Sequence, residues 1–350
     1  MTMKLRPLLN LVSDRLRALP LIVVYITDGC NSRCVTCDIW RLPRRNMDMA
    51  LVEQLAAECA PLGIRQVVLS GGEAMQHPRW PEIAQKFRAA GAQVMLLTNG
   101  LMLKKQAQQV IDSVDALTVS LDGGTPATYH AIRGVDALPP ILDGMAVIAR
   151  AGIPITTRTT VQRQNFRELP AIIDAAKAAG VRKVSFLGVD VSNHEAFGPR
   201  FDQADTLPLL PIHQPPSPAL TTDDLPEFAA ILDRIEREYA ADFASGLMSE
   251  SPAKLRRLYA YFAALNQQAP FAPPRCNAPH ISTVIEVDGT LRPCFFLPTV
   301  GKIRDTSLGA ALNAPAALDM RRQYRTGERA ECERCVCPLY RGARSLLREG

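Results

Sequence analysis

Six short apolar runs, at residues 21–27, 65–70, 92–98, 115–122, 153–161 and 182–190, alternate with amphipathic stretches of helical period. Runs without polar alternation are the pattern of strands covered on both faces. Parallel strands need long crossovers, and a helix is the usual one. Glycines at 63, 91, 152 and 180 close four of the helical stretches, where a left-handed stop is favoured. The expected fold is therefore α/β with a parallel sheet, either open or a partial barrel. At 350 residues, 47% hydrophobic and 21% charged, the chain can bury such a core and a smaller unit besides.

The alternation ends after Asp190. Residues 205–220 hold five prolines and read as an irregular connection. Helical stretches follow at about 222–246 and 251–267. The segment "HISTVIEVDGTLRPCFF" reads as strand, Asp-Gly turn, strand. The expected organisation is a helix over 1–20, a barrel core over 21–200, a Pro-rich connection with helices over 201–273, and a cysteine-rich unit over 274–350. In the first segment Leu5, Leu8, Leu9, Val12, Leu16 and Leu19 could share one helix face. Charges at Asp14, Arg15 and Arg17 interrupt it, so neither an export signal nor a stable membrane span is expected. A cytoplasmic location follows as an expectation. Net charge is +5 without a basic run, which gives no reason to expect nucleic acid as a partner.

The cysteines fall at 30, 34 and 37, then 59, then 276, 294, 332, 335 and 337. In a reducing compartment such clusters suit metal better than disulfides. Cys59 lies in an amphipathic helix and reads as core. The first group has three thiols and no fourth Cys or His nearby. A structural zinc site closes with four ligands, whereas a cubane on three thiolates keeps one iron open. A non-catalytic zinc-binding interaction protein is the alternative from another class. The five histidines, His77, His130, His194, His213 and His280, show no metal-ligand spacing and read as structural or solvated.

Four motifs follow four successive runs. CxxxCxxC (Cys30, Cys34, Cys37) follows the first, "SGGEAM" (70–75) the second, and "TNG" (98–100) the third. "SLDGG" (120–124) follows the fourth, with "YHAIRG" (129–134) after it. As a set over residues 21 to about 190 they resemble the radical S-adenosylmethionine (SAM) superfamily. The resemblance implies a partial (β/α)6 TIM-like barrel. It implies a [4Fe–4S] cluster on Cys30, Cys34 and Cys37, with SAM chelating the open iron. Reductive cleavage would give a 5′-deoxyadenosyl radical that abstracts hydrogen from the substrate. An electron donor such as flavodoxin or ferredoxin is implied as partner. The implied cofactor-binding set is Gly71, Gly72, Glu73, Asn99, Ser120, Asp122, Arg158 and Thr160. Within it Glu73 would meet the methionyl ammonium, and Arg158, Thr160 or Ser120 the methionyl carboxylate. Many members carry an aromatic just before the third cysteine, where this chain has Thr36 and, three residues after the group, Trp40.

The pattern C-x12-G-x4-C at Cys276, Gly289 and Cys294, followed by CxxCxC at Cys332, Cys335 and Cys337, resembles SPASM and Twitch extensions. These carry auxiliary [4Fe–4S] clusters. A further cysteine would fall where Arg341 stands, so one auxiliary cluster is expected, on Cys276, Cys294, Cys332 and Cys335. Zinc is the alternative there. Cys337 could replace one of the last two, be a spare, or donate a hydrogen atom as a catalytic residue. The expected enzyme is of oxidoreductase or epimerase type. Its substrate is expected to be a small biosynthetic molecule: a sugar, cyclitol, nucleotide-linked or lipid-like compound that is oxidised, epimerised or rearranged. Only about 20 residues precede the first run, which tilts away from the alternative, a peptide-modifying maturase. Substrate contacts are expected in 188–200, at Asp190, Ser192, Asn193, His194 and Glu195.

Overall fold

The computed structural model describes residues 6–191, 217–303 and 306–348. The six apolar runs form β1 (Leu21–Thr27), β2 (Gln66–Gly71), β3 (Gln93–Thr98), β4 (Ala116–Ser120), β5 (Ile155–Val161) and β6 (Lys183–Gly188). All pair in parallel in chain order, as a partial TIM-like barrel with helical crossovers. The C-terminal hairpin supplies β7 (Ser282–Ile285), β8 (Thr290–Arg292) and β9 (Gly301–Lys302). Strand β7 pairs parallel with β1, Leu21 opposite Ser282, and β8 and β9 turn back antiparallel. The sheet therefore runs β6-β5-β4-β3-β2-β1-β7-β8-β9 without a break. The cysteine-rich extension shares a sheet with the barrel.

Side-chain alternation assigns the two faces. Ile22, Val24, Val67, Leu69, Val94, Leu96, Leu117 and Val119 are buried beneath the crossover helices in the main core. Each such side chain contributes ~1.5–3 kcal/mol by leaving water. Val23 and Tyr25 point the other way. They form a second cluster with Ile39, Val284 and Val287, against which Cys37, Val68 and Phe295 pack. This patch joins the first cysteine loop to the hairpin, with the Tyr25 and Phe295 rings 6.2 Å apart.

The exposed edge of β6 is covered. Val184 donates to the Leu247 carbonyl at 2.8 Å, and the Ser249 N–H donates back to Val184 at 2.9 Å. Helices Leu225–Glu238 and Pro252–Leu265 pack behind through the edge-to-face pair Phe228 and Phe262. No helix among the described residues is long and apolar enough to cross a membrane.

The N-terminus departs from expectation. Helix covers Arg6–Leu9, continued by a 3-10 turn over Asn10–Val12, and Val12 is 80% exposed. The buried Asn10 side chain explains the stop. Its amide donates to the carbonyls of Ala18 and His280, and its oxygen accepts from the Arg17 N–H. Those bonds hold residues 13–20 in a bent, non-helical course, so Leu16 and Leu19 enter the core without a helix.

Candidate metal centre and cofactor site

The three-cysteine loop begins where β1 leaves the sheet. Its ladder with β2 shifts between Tyr25 and Thr27, and the Ile26 carbonyl accepts from Met47 instead. The loop then lies across the C-terminal ends of the strands, the catalytic end of such barrels. Two neighbours shape it. The Gly72 N–H donates to the Thr27 carbonyl and the Glu73 N–H to the Gly29 carbonyl, both at 2.8 Å. Gly71 has φ +127°, and a Cβ on Gly72 would stand 2.5 Å from the Gly29 oxygen. The glycine pair is thus required by close backbone contact.

The second support is helix Pro126–Arg133. Its last carbonyls, Ile132 and Arg133, accept from the N–H groups of Val35 and Arg33 at 3.0 Å. Gly134 ends the helix at φ +68°, where a Cβ would meet the Arg33 carbonyl at 2.8 Å. The Arg133 guanidinium pairs with Asp122 at 2.6 Å and donates to Cys34 Sγ at 3.5 Å. Burial opposes its charge, but Asp122 and Cys34 hold its pKa above the ordinary guanidinium value.

A buried network completes the loop. Glu73 is 1% exposed. It accepts from the Asn99 N–H (2.7 Å), the Thr98 hydroxyl (2.9 Å) and the Met75 N–H (3.1 Å). The Asn99 amide donates to Asn31 Oδ1 and Ser32 Oγ and approaches Cys30 Sγ at 4.0 Å. Burial raises the Glu73 pKa against those three donors. Burial also pushes the Cys30 thiol up to about 11 and Cys37 to about 12. Metal binding deprotonates such thiols. Soft, desolvated sulfur donors beside a buried cation fit an anionic iron–sulfur cluster.

Cys276 and Cys294 lie at the opposite end of the strands. Cys276 precedes β7, which runs parallel to β1, and Cys294 follows the returning β8. The Tyr324 hydroxyl donates to the Cys276 carbonyl at 2.6 Å. Burial raises the Tyr324 pKa, and Cys276, Cys332, Cys294 and Cys335 raise it further. The charges of all four thiols are thus felt at one phenol. Asn277 fixes the tail, donating to the Arg341 carbonyl and accepting from the Arg341 N–H. Burial pushes Cys294 up to about 12 and Cys332 to about 11, and raises Cys276 and Cys335 as well. Among the described residues, no three His, Cys, Asp or Glu side chains gather as a single ion would need.

The remaining expected residues divide. Asp122 joins the first site through Arg133 and also accepts from the Thr160 N–H at 2.7 Å. Ser120 and Arg158 are opposite in register on β4 and β5. Arg158 reaches Cys337 Sγ at 4.0 Å, and the guanidinium that reaches Cys34 is that of Arg133. Cys59 is buried core, as expected. His77, His130 and His280 make structural contacts, with the Met47 carbonyl, Asp136 and Asp14 respectively. His194, His213, Ser192, Asn193 and Glu195 lie outside the described residues. Arg133, Ser32 and Tyr324 were not singled out from sequence. For Arg133 the signal lay in "IRG", one helix after Asp122.

A partial (β/α)6 barrel with three thiols at its C-terminal mouth and a cysteine-rich extension at its base defines a class of iron–sulfur radical enzymes. Comparison with known proteins agrees. Residues 24–176 match the Radical SAM superfamily, and residues 276–336 match SPASM, an iron–sulfur cluster-binding domain. The chain therefore carries a Radical SAM domain over residues 24–176 and a C-terminal SPASM domain over residues 276–336. Its cofactors are accordingly a [4Fe–4S] cluster, SAM and auxiliary iron–sulfur.

It is 32% identical over 166 residues to the AdoMet-dependent heme synthase of Methanosarcina barkeri, covering 46% of this chain and 48% of that one. It is 28% identical over 195 residues to the PqqA peptide cyclase of Methylorubrum extorquens, covering 53% and 51%. The chain thus spans about half the length of these curated relatives. Streptococcus suis SuiB, solved with precursor peptide SuiA, shares the fold at TM-score 0.64 and 14% identity, over 93% of this chain and 73% of that one.

Proposed function

We propose that this chain cleaves SAM reductively at Cys30, Cys34 and Cys37 and acts on a small polar biosynthetic substrate held inside the barrel. When bound, the cluster and SAM supply the 5′-deoxyadenosyl radical, and a one-electron donor such as a flavodoxin or ferredoxin completes the requirement. The residues present bind, orient and exclude water. Arg133 balances thiolate charge, and Glu73 and Asn99 hold the Cys30 side of the loop. Gly71 and Gly72 bring the β2 backbone against the loop, where their peptide groups would meet the methionyl end of SAM. Ser120 and Thr160 would supply hydroxyls nearby. Cys276, Cys294, Cys332 and Cys335 would hold one auxiliary cluster.

The observation that carries this reading is the placement of two thiol groups at opposite ends of one sheet, with a polar inner wall between them. An electron acceptor at the base suits net oxidation, and Cys337 within the interior suits epimerisation instead. A peptide substrate is the second reading, favoured by the similarity to PqqA peptide cyclases.

Anaerobic reconstitution tests the proposal. About eight irons per chain are expected, four for each of two cubanes, with 5′-deoxyadenosine formed from SAM and dithionite. Stoichiometric zinc without iron would end it.

A further inference from the structure

Among the described residues, Arg158 is a cation without an anion. It sits mid-strand on the inner face of β5, level with Ser120 of β4 and Ser185 of β6. Its Nε is buried and has no hydrogen-bond partner among the described residues. Its guanidinium otherwise reaches the Cys337 thiol, at 4.0 Å, and a thiol is a weak acceptor. The other interior guanidiniums of the described barrel and hairpin are matched. Arg133 has Asp122, and Arg292 has Glu286 at 2.7 Å. Glu250 approaches the same face from beyond β6, but its oxygens accept from Ser185 Oγ and the Phe186 N–H. Among the described residues it forms no ion pair with Arg158.

Arg158 is partly buried, and shutting its Nε off from water without a partner is unfavourable. The position makes physical sense when the counter-charge arrives with a ligand. The wall around it is hydrogen-bonding: Thr156 and Thr160 share its strand face, and Ser120 stands beside it.

We infer that Arg158 is the anion-recognition point for the substrate, taking a carboxylate or phosphate through its planar fork. This rests on the reading that substrate lies in the barrel between the two cysteine groups. The methionyl carboxylate of SAM offers the same chemistry. Two facts favour the substrate: Arg133 already places a guanidinium at the three-cysteine loop, and Arg158 is turned to Cys337, at the auxiliary end.

The test uses the reconstituted holoenzyme and Cys337 as reporter. Iodoacetate, an anion, and iodoacetamide, its neutral counterpart, are reacted separately, and Cys337 alkylation is followed by peptide mass spectrometry. Both reagents attack the same thiolate, so their rate ratio cancels thiol acidity and reports anion recruitment. Arg158→Gln is expected to lower the iodoacetate-to-iodoacetamide ratio by roughly tenfold, and Arg158→Lys to retain most of it. SAM affinity, by equilibrium dialysis, is expected to stay unchanged in both. An unchanged ratio, or lost SAM binding, overturns the inference. Where Cys337 resists both reagents, calorimetric titration with inorganic phosphate decides. Saturable binding that Arg158→Gln abolishes is expected, and absence of binding to the wild type overturns the inference. Failure of the underlying enzyme reading shows separately, as missing iron or missing 5′-deoxyadenosine in the wild type.

Discussion

The Arg133 guanidinium lies 3.5 Å from Cys34 Sγ while its other nitrogen pairs with Asp122 at 2.6 Å. One buried cation therefore serves two anions when the thiols are ligated. Arg133→Met strands Asp122, and breaking a buried pair from one side costs ~3–5 kcal/mol. The expected outcome is a lower denaturation midpoint and a deficit of iron at the three-cysteine site, with auxiliary iron retained. Arg133→Lys is expected to recover stability in part, since it restores charge but not the fork. Denaturant titration with iron analysis checks this.

Glu73 accepts from three donors at once. An amide in its place presents an NH₂ group to some of them. Glu73→Gln is expected to cost ~1–3 kcal/mol, the penalty of an unsatisfied buried group. Because Asn99 hangs on Glu73 and holds Asn31 and Ser32, SAM affinity is expected to fall too. Calorimetry with SAM measures it.

Gly72→Ala would set a methyl 2.5 Å from the Gly29 oxygen and 2.7 Å from that of Asp28. Backbone cannot rotate away as a side chain can. A loss of ~1–3 kcal/mol is expected, with formation of 5′-deoxyadenosine abolished while auxiliary iron stays.

The charges of Cys276, Cys332, Cys294 and Cys335 are felt at Tyr324, whereas Cys337 is turned to Arg158. Cys335→Ala is therefore expected to remove about four irons per chain, and Cys337→Ala none. Turnover lost with iron retained would support a hydrogen-donor role for Cys337. Iron lost in Cys337→Ala would make it a ligand.

His280 packs on Tyr324, ring centroids 5.6 Å apart. Burial, reinforced by Arg321, lowers its pKa from 6.5 to about 4, with Asp14 opposing. Between these values the unfolded chain binds the extra proton, so stability is present above pH 6.5 and lost as pH falls towards 4. The loss amounts to at most roughly 3 kcal/mol. Thermal melts from pH 7 to 4 are expected to fall less steeply for His280→Gln.

The six strands, their order and the motif positions were legible because apolar runs and turn residues are local. Each motif also follows a strand directly, so its end of the barrel was legible too. The N-terminal helix was misread over 1–20 because Asn10 is held by Ala18 and His280, the latter 270 residues away. The pairing of β7 with β1 was equally hidden, since nothing near Leu21 names Ser282 as its neighbour.

The site divides in the same way. By itself the sequence determined the thiols, their spacing and the fold class, because three thiols within eight residues and alternating strands and helices are properties of short segments. Only the tertiary structure decided that Arg133 meets Cys34 while Arg158 meets Cys337. Both arginines lie near motif ends, and both are plausible counter-charges in sequence. Which sulfur a cation reaches depends on strand register and helix docking, and these are set by packing across the whole chain.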